Sequence, residues 1–81
     1  MRLPRDLSGP GLIKALAEFG YQVTRQAGSH IRLTTTQGGQ HHITIPNHSS
    51  MRVGTLAAVL SEVAGHFNIS REELLQKLFG K

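Results

Sequence analysis

The chain has 81 residues, of which 38% are hydrophobic and 17% charged, a balance too apolar for a disordered segment and too polar for a membrane protein. A chain of this length has room for one hydrophobic core, so we expect a single domain over residues 1–81. Cysteine is absent, which excludes disulfides, thiolate metal sites and a cysteine nucleophile, and nine basic against five acidic residues give a net charge of +4 that favours an anionic partner.

The positive charge is unevenly distributed. Residues 1–61 carry six basic and two acidic side chains, whereas residues 62–81 carry three of each. The N-terminal residues lack the apolar run of a signal peptide, and no later stretch approaches the roughly 20 apolar residues of a membrane-spanning helix. We therefore expect a cytoplasmic protein with no membrane partner.

The first predicted element is an amphipathic helix that begins after Ser8. Serine is a favoured N-cap residue, and a proline follows in the first turn, where no backbone donor is needed. Apolar residues then recur at helical spacing through Leu12, Leu16 and Phe19. Gly20 would end the helix, since glycine adopts a left-handed conformation without a Cβ clash.

Three stretches of alternating apolar and polar residues follow, which predicts three short strands at residues 21–24, 30–34 and 42–45. Glycine-containing turns at 27–29 and 37–40 separate them, so an antiparallel meander is expected. Its apolar face, with Tyr21 and Val23, would pack on the helices. The opposite face would display Gln22, Thr24, His30, Arg32, Thr34, His42 and Thr44.

Two further helices are predicted after Pro46, which ends the third strand. The longer one has apolar residues spaced by three and four. Ser70 would cap a short last helix over 70–79, with Glu73 completing a capping box. The stripe of the longer helix consists of Val53, Leu56, Leu60, Val63 and Phe67.

The order αβββαα predicts an α+β fold with a three-stranded antiparallel sheet and helices on one face. The first five elements have the layout of a double-stranded-RNA-binding domain, with the short C-terminal helix as an addition. Topology by itself assigns no function.

His30 is a candidate for a catalytic group, because the Gly28-Ser29 turn delivers it to the start of a strand, although that position alone favours a structural role. Cleaving RNA through the neighbouring 2′-hydroxyl needs a base for that proton or an acid for the leaving oxygen, and imidazole titrates near neutrality. Arg32, two residues along on the same face, could stabilise the phosphorane charge. The alternative is that His30 only hydrogen-bonds at the strand start and that Gly28 only supplies a positive φ.

Two further segments could contact a phosphate. Arg52 precedes a helix whose first turn contains Gly54 and Thr55, and free amides at such a turn favour an anion. The alternative is that these residues only shape the helix start. His48 would either contact RNA or be a solvated loop side chain.

No metal site and no cofactor are expected. His41 and His42 are neighbours in a strand, so their side chains point to opposite faces. No carboxylate or cysteine lies close in sequence to complete a shell with them or with His48. His41 falls on the side of Ile43 and is expected to be a packed or edge residue.

The chain resembles the HicA toxin family in a set of short motifs that occur in the family's order. They are Ser8-Gly9, Gly20-Tyr21, Gly28-Ser29-His30, Ile43-Thr44-Ile45-Pro46-Asn47-His48 and Gly54-Thr55-Leu56, and the resemblance runs from about Ser8 to Ala64. It implies an mRNA interferase of a type II toxin-antitoxin system, which cleaves mRNA, stops growth and is held inactive by a HicB antitoxin. The family's catalytic histidine corresponds to His30.

We therefore predict one HicA-like domain that is a metal-independent endoribonuclease, with mRNA and a HicB-like antitoxin as partners. The alternatives are a non-catalytic RNA-binding module of the same fold and a protein-interaction domain whose apolar last helix docks a partner. The helix over 70–79 would be an addition to the family fold or part of the antitoxin contact. His30 is predicted to be catalytic, and the predicted RNA-binding residues are Gly28, Ser29, Arg32, His48, Arg52 and Thr55.

Overall fold

The α+β fold with an αβββα core and an additional C-terminal helix is confirmed by a computed structural model, which describes residues 7–80. The strands form one antiparallel sheet in the order β1-β2-β3. Within residues 7–80, no helix has both the length and the apolar character needed to cross a membrane. The elements are α1 (Gly9–Leu16), a 3-10 turn (Ala17–Phe19), β1 (Gln22–Ala27), β2 (His30–Thr35), β3 (His41–Pro46), α2 (Val53–Phe67) and α3 (Arg71–Phe79).

Serine caps begin two of the helices, as predicted. The Ser8 hydroxyl accepts a hydrogen bond from the Gly11 amide at 2.9 Å, and the Ser70 hydroxyl accepts one from the Glu73 amide at 3.0 Å. Gly20, with φ of +81°, ends the first helical segment, whose last turn is 3-10 rather than α. These caps satisfy amides that have no partner inside the helix.

The hydrophobic core lies between the inner face of the sheet and the helices. β2 and β3 alternate buried and exposed residues, so each contributes one side to this core. α3 belongs to the core as well, because Leu74 and Leu75 are 0% and 2% exposed. Other fully or almost fully buried residues are Leu12, Leu16, Tyr21, Leu33, Ile43, Ile45, Leu56, Leu60 and Val63.

Two predicted core positions are wrong. Val23 is 53% exposed in β1, whose residues are all exposed and whose alternation is broken by a bulge between Val23 and Arg25. Val53 is 57% exposed at the first position of α2, before the apolar stripe turns inward. Tyr21 is buried as predicted, although it precedes β1 rather than lying in it.

Candidate functional site

The turn before His30 is a two-residue hairpin loop, Gly28-Ser29, closed by the pair Ala27 and His30. Gly28 has a φ of +59°, which is the arrangement of a type II′ turn with glycine at its first central position. A Cβ at Gly28 would meet no atom within 4 Å, so the backbone conformation and not crowding requires glycine. The outer side of the turn is therefore open, and His30 is exposed at the start of β2.

The loop after β3 is tied to this turn and to α1 by backbone hydrogen bonds. The Asn47 amide donates to the Ser29 carbonyl at 2.6 Å, which extends the pairing of β2 with β3 by one step. The Gly9 amide donates to the His48 carbonyl at 2.9 Å. These bonds hold His48 near the start of β2, although the two histidines are far apart in sequence.

An open cleft of about 430 Å³ lies where β2, β3, the loop and α2 meet. Four predicted site residues line it, although they come from three separate segments of the chain. Their side chains are exposed, apart from that of Thr55, which is half-buried. The complete lining is His30, Thr44, Pro46, His48, Arg52 and Thr55.

Thr44 and Pro46 are lining residues that the sequence did not single out. They lie opposite Arg32 and His30, respectively, in the pairing of β2 with β3. Cross-strand neighbours share a face of a sheet, so this register is what places them at the cleft. Strand alternation assigns Thr44 to the outer face, but the register depends on pairing that a single strand does not reveal.

Three other predicted site residues do not line the cleft. Gly28 and Ser29 form the turn beside it. Arg32 is on the same outer face of the sheet, opposite Thr44 in β3 and Arg25 in β1. Arg32 therefore borders the cleft at the level of Thr44 and faces a second arginine.

The surroundings of the cleft are positive. No aspartate or glutamate occurs between Phe19 and Ser61, a segment that contains the whole sheet and the start of α2. No side chain caps α2, whose N-cap residue is Arg52, so the positive end of the helix dipole adds to the guanidinium charge. Such a site favours a phosphate over a neutral ligand.

A second histidine cluster lies away from the cleft and joins β3 to the end of α2. The Tyr21 hydroxyl is 2.7 Å from Nδ1 of His41, and the rings of His41 and His66 stack with centroids 4.5 Å apart. His66 Nε2–H donates to the Gln37 carbonyl at 2.9 Å. The predicted packing of His41 is thus observed, on the face of the sheet opposite His42.

Burial favours the neutral forms of His41 and Tyr21. It lowers the pKa of His41, an effect to which the neighbouring His66 adds. It also raises the pKa of Tyr21 to about 12, with a smaller contribution from Glu62. A neutral His41 can accept a hydrogen bond at Nδ1 from the protonated Tyr21 hydroxyl, which ties β3 to the residue before β1. Within residues 7–80, no group of three or more histidine or carboxylate side chains is arranged to hold a metal ion.

A family model described as HicA toxin of bacterial toxin-antitoxin matches residues 10–65. The match includes the Gly28-Ser29-His30 turn, the loop with His48, and the start of α2 with Arg52 and Thr55. It ends before α3. Neither the comparison with curated proteins nor that with solved structures finds a match.

Proposed function

This chain belongs to the HicA toxin family of bacterial toxin-antitoxin systems, and from that premise we propose that it is a metal-independent endoribonuclease that cleaves mRNA, with His30 as its proton-transfer group. A toxin of such a system has an antitoxin as partner. We infer that this antitoxin is HicB-like, that it covers the cleft, and that the toxin acts in the cytoplasm.

The observation that carries the proposal is the convergence of His30, His48, Arg52 and Thr55 on one cleft. Arg52 and the start of α2 would hold the scissile phosphate, and the Thr55 hydroxyl offers a further hydrogen bond. His30 is an exposed lining residue of the same cleft, where its imidazole could reach a bound ribose. This set supplies a positive phosphate site beside an imidazole, as the chemistry requires.

In the proposed reaction, the ribose 2′-oxygen bonds to phosphorus while the bond from phosphorus to the 5′-oxygen breaks. The 2′-hydroxyl proton leaves to a base, and the departing 5′-oxygen receives a proton from an acid. The products are a 2′,3′-cyclic phosphate and a 5′-hydroxyl. We assign one of these transfers to His30, and His48 is the second imidazole of the cleft. Arg52 would stabilise the extra negative charge on phosphorus.

The test compares fragment formation from mixed-sequence RNA by the purified wild type, His30→Ala and His30→Gln, all with EDTA. Loss of a positioned proton-transfer group lowers the rate by roughly 10²- to 10⁴-fold, so both variants should be almost inactive. Arg71→Gln is the control, since this residue begins α3 in the helical layer, away from the cleft. It should cut RNA at the wild-type rate.

Three outcomes contradict the proposal. Equal cleavage by the wild type and His30→Ala would remove His30 from the mechanism. RNA binding without any fragments would favour the non-catalytic RNA-binding module. Cleavage that appears only when Mg²⁺ replaces EDTA would show that the reaction depends on a metal.

A further inference from the structure

The outer face of the sheet carries an arginine pair that has no neutralising carboxylate on the strands or loops of the described chain. Arg25 in β1 lies directly opposite Arg32 in β2. Like charges at opposed positions destabilise a sheet, and the segment from Phe19 to Ser61 contains no acidic residue. The remaining carboxylates of the described chain are in the helical segments, at Glu18, Glu62, Glu72 and Glu73. An anion bound from outside would relieve the repulsion.

A second groove of about 380 Å³ lies on this face, beyond the arginine pair as seen from the cleft. The Thr24 and Thr34 hydroxyls are 2.8 Å apart, and the Thr34 hydroxyl is 2.7 Å from Nδ1 of His42. The groove therefore offers uncharged donors and acceptors, which suit ribose hydroxyls and base edges. Its lining residues are Gly20, Gln22, Thr24, Thr34, Thr36 and Gln37.

The cleft, the arginine pair and the second groove follow one another along β2. His30, Arg32 and Thr34 are alternate residues of this strand and share its outer face. At about 3.3 Å per residue, His30 and Thr34 are roughly 13 Å apart along the strand, a distance that a few nucleotides span. The three features thus form one continuous path.

We propose that this outer face is a track for single-stranded RNA, which runs from the cleft between Arg25 and Arg32 into the second groove. The placement of the scissile bond at the cleft rests on the proposed function, whereas the track itself rests on the charges and hydrogen-bonding groups of the sheet. Two arginines hold backbone phosphates, and the groove contacts sugars and bases. Contacts to base edges favour unpaired RNA, because a duplex is recognised mostly through its shape, phosphates and 2′-hydroxyls, and its major groove is too deep and narrow for side chains.

The composition of the face favours nucleic acid over a protein partner. Its outward residues are arginine, histidine, threonine and glutamine, with Ala27 and Pro46 as the nonpolar exceptions. Protein interfaces have a core that is depleted in charge and enriched in aromatic residues. No tyrosine or phenylalanine belongs to β1, β2 or β3.

The test measures binding in the His30→Ala background, so that RNA stays intact. The probe is a fluorescein-labelled, mixed-sequence single-stranded RNA of about 12 nucleotides, titrated by fluorescence anisotropy between about 50 and 300 mM salt. Arg25→Gln with Arg32→Gln should weaken binding about tenfold and reduce the slope of log Kd against log salt by about 1.4, since each phosphate contact on a single strand contributes about 0.7. Arg71→Gln, which removes one positive charge from the helical layer, is the control, and Arg25→Lys with Arg32→Lys should keep most of the slope.

The groove is tested with Thr24→Val and Thr34→Val together, which remove the hydroxyls and keep the side-chain shape. The protein should then lose part of its preference for RNA over DNA of the same sequence, because the 2′-hydroxyl distinguishes the two. If the variant keeps the full preference for RNA over DNA, the second groove is not the end of the track. The variant and its parent are compared by circular dichroism, so that a folding defect is recognised.

The track is overturned if the double glutamine variant binds RNA as its parent does, or if Arg71→Gln lowers the slope as much. It is also overturned if the arginine pair affects antitoxin binding alone, which would assign the face to a protein partner. Failure of the proposed function has a different signature, namely wild-type protein that binds RNA through both arginines and yields no fragments.

Discussion

Gly9 decides how closely α1 approaches the third strand. A Cβ at this buried position would overlap the carbonyl group of Pro46, while the Gly9 amide donates to the His48 carbonyl. Gly9→Ala must therefore push α1 away from the residues that form one wall of the cleft. We expect a loss of about 1–3 kcal/mol in the free energy of unfolding, as for other overpacked positions. Urea unfolding measures this loss.

Gly65→Ala is the matched control for this experiment. Gly65 lies in α2 without a positive φ, and a Cβ there would meet no atom within 4 Å. Alanine should stabilise this helix by about 0.5–1 kcal/mol. If Gly9→Ala were as stable as Gly65→Ala, the close approach of α1 to Pro46 would be contradicted.

At the scale of elements, the Tyr21, His41 and His66 cluster joins β3 to the C-terminal end of α2. The pKa of His41 is lowered in the folded chain, so the unfolded chain binds more protons as the pH falls below the ordinary histidine pKa of 6.5. The contribution of His41 to stability is therefore complete above pH 6.5 and is lost as the pH falls below it. We expect the free energy of unfolding to decrease from pH 7.5 to pH 5.

His41→Gln isolates this contribution, because glutamine does not titrate. The variant should lose less stability than the wild type over the same pH interval in urea unfolding. The Tyr21 pKa of about 12 predicts a second loss in the wild type as the pH rises above about 10, since the phenol must stay protonated in the fold. A wild type and a His41→Gln variant with parallel pH curves below 7 would contradict the assignment to His41.

Elements with local signals could be predicted from the sequence. Ser8 and Ser70 mark helix starts through their own hydroxyls, and β2 alternates cleanly because one of its faces is buried. β1 could not be predicted in detail, since all of its residues are exposed and its bulge places Arg25 opposite Arg32. Neither the bulge nor the exposure of Val23 has a local sequence signal.

Most residues of the candidate site could be predicted one by one, but Thr44, Pro46 and the assembly of the site could not. His48 and Arg52 have local signals, and the motif resemblance points to His30. Their convergence depends on the Asn47 amide reaching the Ser29 carbonyl, a contact between segments far apart in the chain. The stacking of His41 on His66 depends in the same way on the packing of α2 against β3. The catalytic role of His30 itself stays a prediction.

At the scale of the whole molecule, the two layers differ in how their positive charges are balanced. The sheet and its loops carry Arg25, Arg32 and Arg52 without carboxylates, whereas the four glutamates of the described chain lie in the helical segments, where Lys14, Arg71 and Lys77 nearly balance them. A polyanion approaching the molecule is therefore attracted most strongly to the sheet side. This orientation would bring RNA to the face that contains the cleft before any specific contact forms.

α3 lies outside the family match, yet it completes the core of this chain. The match ends at residue 65, and α3 then places Leu74 and Leu75 against the other helices at 0% and 2% exposure. An 81-residue chain buries little surface relative to its length, so such a contribution is a large part of a total stability of about 5–15 kcal/mol. α3 therefore has a structural role in this chain, whatever its outer face contacts.

Leu74→Ala tests this role of α3. A fully buried leucine truncated to alanine costs about 2–5 kcal/mol, whereas Leu78→Ala, at a half-buried position of the same helix, should cost less. Urea unfolding of the two variants gives the comparison, and RNA binding by the folded fraction should stay unchanged, because α3 lies away from the sheet face. Equal, small losses of unfolding free energy for both variants would mean that α3 contributes little to the core. The fold of residues 7–69 would then have to be stable by itself.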